Sequence, residues 1–146
     1  MELEKLEESI KYKFKNINLL KQALTHTSYA YEHGEESYEK RDFLGDSILE
    51  FISSDYLFKN YKNLKEGEMT KVRASVVCEE SLSQIAKLHN FSDFLLLGKS
   101  EIINNGAQRK AVLEDTFEAV IAAIYLDGGL EPAKKFIIEN LQNSIE

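Results

Sequence analysis

Apolar residues recur mostly at spacings of three and four along this chain, and no stretch alternates apolar and polar positions long enough to make a strand. That rhythm predicts an all-α protein, with helices over about residues 2–10, 17–24, 38–60, 66–77, 79–89, 109–126 and 131–144. One proline and seven glycines leave few breakers. Gly128 and Gly129 are placed to end one helix, and Pro132 suits the first turn of the next.

Two of these helices carry an unusual pattern. With Glu39 at 0° on a helical wheel, Asp42 falls at about 300°, Asp46 at about 340° and Glu50 at about 20°, so four carboxylates share one stripe. Leu44, Ile48, Phe51, Ile52 and Asp55 lie between about 120° and 220° and are the stripe expected to be buried, which turns the carboxylates away from the helix's own core. An acidic solvated face would look the same. The helix over 109–126 is different, because it is apolar nearly all round and should be buried, yet it carries Glu114, Asp115 and Glu118. Buried carboxylates are costly unless paired or bound to a cation. Spacing alone does not say whether Glu114 or Asp115 joins Glu118. Gly45, inside the first helix, costs roughly 1 kcal/mol relative to alanine. Close approach to the small residues Ala119, Ala122 and Ala123 would account for it and bring Asp46 beside Asp115 and Glu118. Oxygen donors without cysteine, and with few histidines, favour Mg²⁺ or Mn²⁺ over zinc.

Composition narrows the picture. A chain of 146 residues with 43% hydrophobic content supports one domain with one core. The lone Cys78 excludes an intrachain disulfide framework and a thiolate zinc site. The first nine residues are too acidic and polar for a secretory signal, and the longest apolar run, 119–126, is too short to span a bilayer. A cytoplasmic protein without a membrane partner is the expectation. The net charge of −7 argues against a nucleic-acid partner, but its distribution does not. Residues 1–58 hold 7 basic and 12 acidic groups, 59–110 hold 9 and 6, and 111–146 hold 2 and 7, so positive charge gathers in the middle.

The run Glu39-Lys40-Arg41-Asp42-Phe43-Leu44-Gly45-Asp46-Ser47-Ile48-Leu49-Glu50 resembles the signature of bacterial ribonuclease III. Three further blocks in the family's order support it: 23–29 (ALTHTSY), 66–70 with Arg73 and Ala74, and 114–119 (EDTFEA). The resemblance covers nearly the whole chain. It implies the helical fold of a ribonuclease III catalytic domain over residues 1–146, with a double-stranded-RNA-binding domain absent from this chain. It implies Asp42, Asp46, Asp115 and Glu118 as metal ligands, which selects Asp115 over Glu114. Asp46 and Glu118 are then catalytic, and Glu39 and Glu66 support the site. The implied reaction is Mg²⁺-dependent hydrolysis of double-stranded RNA during RNA processing, rRNA included, with Mn²⁺ as substitute. It leaves 5′-phosphate and 3′-hydroxyl ends and a short 3′ overhang. Phe43 lies at about 40° on the carboxylate side, where a large aromatic needs cover. The family resemblance supplies that cover as a socket on a second subunit, and hence a homodimer.

Two residues depart from the family pattern: Asp42 stands where a glutamate is usual, and Arg41 where an apolar residue is usual. Lys71, Arg73, Arg109 and Lys110 are candidates for phosphate contact. His26 is expected to pack among polar groups at a helix end, and His33 and His89 to be surface residues. A ferritin-like di-iron site would need Glu-x-x-His pairs, but Ala23, Ala30 and Ala86 stand three residues before the histidines. A silent family member that binds RNA without cutting is favoured only by Asp42.

Overall fold

A computed structural model describes residues 2–145, with side chains described as far as Gln142. The described residues are helical almost throughout: α1 (Leu3–Ile10), α2 (Ile17–Ala23), α3 (Thr27–His33), α4 (Glu39–Asn60), α5 (Glu66–Val76), α6 (Glu79–Leu88), α7 (Lys99–Ile103), α8 (Lys110–Gly128) and α9 (Leu130–Ile145). Single 3-10 turns lie at Phe91–Asp93 and Gly106–Gln108. The only extended pairing among them is an isolated parallel bridge between Thr25 and Leu96.

The axis of the fold is α8. From Thr116 to Ile124 every residue is buried, because α2, α4, α6 and α9 all pack against it. Its own hydroxyl is satisfied locally, as Thr116 Oγ1 donates to the Val112 carbonyl at 2.7 Å. The helix stops at Gly128, and Gly129 takes φ +92, a left-handed value that costs glycine little.

Two short helices, α3 and α7, were not expected from periodicity. Only Ala30 is buried in α3, and α7 buries nothing, so neither shows an apolar stripe. Capping makes α3 instead: His26 Nδ1 accepts from the Ser28 amide at 3.0 Å, and Gly34 closes the helix at φ +66. His26 therefore starts a helix rather than ending one. His89 is also not a surface residue. It is half-buried, bonded to Ser9 Oγ and to Asn140 Oδ1, each at 2.6 Å, and stacked on Phe91, so it ties α1 and α9 to the end of α6. His33 is exposed and stacks on Tyr29.

The largest correction concerns the roll of α4. Its buried residues are Gly45, Ile48, Leu49, Ile52, Ser53 and Leu57, whereas Phe51 is 57% exposed and Leu44 and Asp55 are half-buried. The buried face thus centres nearer 250° than 170° on the wheel, and the carboxylate stripe borders it rather than opposing it. Gly45 is the cause. A Cβ placed there would meet the Glu118 carbonyl oxygen at 1.7 Å, so only a bare Cα lets α4 roll onto α8 at this point. Arg41 lies half-buried where the family has an apolar residue. It donates to Gln22 Oε1, and its Nε is buried without a partner among the described residues.

Gly45→Ala should destabilise the protein by about 1–3 kcal/mol or more, because the contact is backbone and cannot swing aside. A thermal melt checks this, and an unchanged Tm would contradict the close approach.

Candidate active site

Rolling α4 onto α8 sets its acidic edge against Glu118. That side chain is only 9% exposed, with buried Phe117 and Ala119 as its chain neighbours. Burial first, then a hydrogen bond with Asp46, then the charges of Asp46, Glu114 and Asp115 push its carboxyl up to about 9. At neutral pH Glu118 therefore holds its proton beside the exposed Asp46.

The same crowding reaches the neighbours. Burial, then the charge of Asp115, raises Asp42 to about 6; Glu39 and Asp46 add to the rise and the Phe43 amide opposes it. Asp115 is raised by burial and then by Glu79. Glu114 is raised by burial, then by Asp115, Glu79 and Asp46. Asp42, Asp46, Glu114, Asp115 and Glu118 are therefore one electrostatic unit, with Glu39 exposed at its edge. Glu79 belongs to its surroundings too. The sequence carried no sign of this, because only the packing of α6 on α8 brings Glu79 there.

Other expected members lie elsewhere. Glu50 leaves the acidic stripe to pair with Arg73, whose Nε is 3.3 Å from its carboxylate and whose Nη1 donates to Ser54 Oγ at 2.8 Å. Glu66 opens α5 and lines an open hollow of about 420 Å³ with Leu57, Phe58, Met69 and Arg73, beside the far half of α4. None of the carboxylate unit lines that hollow. Arg109 is held by Glu101, and Lys110 by Glu80. Lys71 is exposed.

An all-carboxylate donor set suits a hard divalent cation, and a buried glutamate forced to keep its proton is a group that such a cation would relieve. Among the described residues no three carboxylates converge on one point, so a cation would have to draw them together.

The sequence pattern of the Ribonuclease-III-like family matches residues 16–145. The chain belongs to that family. It is 45% identical to Ribonuclease 3 of Clostridium tetani, over all of this chain and 63% of that protein. It is 47% identical to Ribonuclease 3 of Listeria monocytogenes, over 92% of this chain and 60% of the relative. The chain thus spans somewhat less than two thirds of the curated relatives' length. Among solved structures, the nuclease domain of ribonuclease III from Campylobacter jejuni superposes with a TM-score of 0.91 at 38% identity, covering 97% of this chain and 96% of that one. That structure is described as flexible in the region involved in its dimer formation. Family and fold agree with the helical ribonuclease III arrangement expected from the signature around Asp42–Asp46.

The raised Glu118 carboxyl has a consequence for stability without metal. Its ordinary value is 4.5 and its folded value about 9, so across that window the folded chain holds a proton that the unfolded chain has lost. Stability should therefore fall as pH rises from about 5 to about 9. Glu118→Gln, which mimics the protonated form, should raise Tm at pH 8, by about 2–4 °C for each kcal/mol relieved, and should leave it unchanged at pH 4. Thermal melts in chelator at both values check this; a Gln variant that is less stable at pH 8 would contradict it.

Proposed function

We propose that this chain is the catalytic domain of a homodimeric, Mg²⁺-dependent endonuclease that cuts double-stranded RNA in the cytoplasm, in RNA processing that includes rRNA. The observation that carries the reading is the buried Glu118 set against the acidic edge of α4 inside a carboxylate unit, in a chain of the ribonuclease III family. Asp42, Asp46, Asp115 and Glu118 hold the cation, with Mn²⁺ able to replace Mg²⁺. When bound, it supplies an activated water and neutralises charge on the phosphate. Glu39 and Glu66 support the site from its edge and from the α5 side. Water attacks phosphorus in line, the bond to the 3′-oxygen breaks, and that oxygen leaves with a proton. The products carry 5′-phosphate and 3′-hydroxyl ends, and two sites working on opposite strands leave a short 3′ overhang.

Lys71 is open to solvent and meets phosphate directly, while Arg73, Arg109 and Lys110 exchange their present carboxylate or hydroxyl partners for it. Dimerisation is supported by exposed apolar surface on α4, where Phe43 is 76% exposed and Phe58 72%. With Phe51 57% exposed between them, they make a row of three aromatics on one side of α4, and a contiguous exposed apolar surface marks an interaction site. No helix among the described residues is long and apolar enough to cross a membrane.

Long double-stranded RNA should be cut in Mg²⁺ and spared in chelator, with single-stranded RNA cut poorly. Asp46→Asn should lose orders of magnitude in rate with the fold intact, and full activity in that variant would sink the assigned site. Phe43→Asp should loosen the dimer by about 100-fold or more, since losing a buried phenylalanine costs roughly 3 kcal/mol. Sedimentation at low micromolar concentration reads this, and an unchanged dimer mass would exclude Phe43 from the interface.

A further inference from the structure

His26, which caps α3, is held more tightly than capping requires. The Gly98 amide donates to Ser28 Oγ at 2.8 Å, so the Ser28 hydroxyl is free to turn its own hydrogen to His26 Nδ1, 2.7 Å away. The Ser28 amide donates to the same nitrogen at 3.0 Å. A nitrogen that accepts from two donors carries no hydrogen, so the ring hydrogen sits on Nε2. Burial holds the imidazole below its ordinary value against the charge of Glu101, with Arg109 adding to the fall, and the ring stays neutral at neutral pH. Nε2 has no hydrogen-bond partner among the described residues.

His26 lines an open hollow of about 580 Å³ between α3 and α7, together with Tyr31, Glu32, Ser100 and Glu101. Glu32 Oε2 accepts from the Lys99 amide at 2.9 Å, which fixes this carboxylate and leaves Oε1 without a partner among the described residues. The hollow adjoins the acidic site through bonded neighbours. The His26 ring meets the Tyr38 ring edge-on, with centroids 5.7 Å apart, and the Tyr38 carbonyl accepts from the Asp42 amide at 2.9 Å. From α7, Glu101 holds Arg109, the residue before α8.

A neutral N–H donor and a fixed carboxylate acceptor in one hollow select a group that accepts and donates at once. A phosphate only accepts, and Glu32 and Glu101 would repel it, whereas a hydroxyl suits both partners. We propose that His26 and Glu32 read a ribose 2′-hydroxyl of the bound RNA: Nε2 donates to its oxygen, and it donates in turn to Glu32 Oε1. DNA has no such group, so the contact makes this hollow a determinant of RNA over DNA. This rests on the reading of the chain as a nuclease for double-stranded RNA.

The test is kcat/KM in Mg²⁺ for a set of duplexes of one sequence, each carrying a single 2′-deoxynucleotide at a different position around the cut. Wild type is compared with His26→Asn and Glu32→Ala. Asparagine keeps an acceptor for the Ser28 amide, and so the start of α3, but lacks the reach of Nε2. In the wild type the 2′-deoxy change should cost about 2–10-fold at one position in each strand, through KM. Each variant should cut the all-ribose duplex more weakly by a similar factor, and at that position the 2′-deoxy change should cost it nothing more. A wild type indifferent to the change at every position overturns the inference. So does a variant with an unaltered thermal melt that keeps the full penalty, which would place the hydroxyl on other residues. Failure of the wild type to cut the all-ribose duplex would instead overturn the functional reading beneath it.

Discussion

Everything distinctive about this domain depends on one backbone contact, the meeting of Gly45 with the Glu118 carbonyl where α4 crosses α8. A side chain of any size at Gly45 would push the helices apart. With none, α4 rolls until its acidic edge touches the most buried helix of the fold. Glycine in a helix interior costs roughly 1 kcal/mol in propensity, and the contact it permits is what converts two separate acidic patterns into one site.

That site is unfavourable when it holds only protein. Several carboxylates share a partly buried space, and the chain answers by keeping a proton on Glu118 and raising Asp42 and Asp115. Protonation relieves like-charge repulsion at neutral pH, but it uses the same oxygens that a divalent cation would take. A divalent cation bound there would have to displace that proton from Glu118. The electrostatic cost of that crowding is a property of the fold, concentrated at one point of a chain of net charge −7.

The basic groups show the complementary arrangement. Arg73 braces α5 against α4 through Glu50 and Ser54, while Arg109 and Lys110 are matched by Glu101 and Glu80 around the start of α8. These are mostly exposed contacts of small net stability, and phosphates could replace them at little cost. The aromatic face of α4 is a separate matter. Phe43, Phe51 and Phe58 are exposed because the roll that buries Gly45 turns them outward, so the contact that builds the acidic site also creates the apolar surface beside it.

The sequence by itself determined the helical class, the buried character of α8, the helix stop at Gly128 and Gly129, and the family, because periodicity, glycine placement and a contiguous signature are local properties. It also exposed the conflict of an ionisable Glu118 inside an apolar helix. Only the tertiary structure decided how α4 is turned: period counting placed Phe51 inside and left Gly45 out of the buried stripe, since a wheel scores side-chain hydrophobicity and a glycine has none to score. Glu79 and the Arg73–Glu50 pair were invisible for a related reason. Each acts across helices far apart in sequence, and the short helices α3 and α7, which bury almost nothing, carry no periodic signal. Local chemistry named the carboxylates; the close crossing of two backbones decided which of them crowd together around Glu118 and which, like Glu50, are neutralised elsewhere.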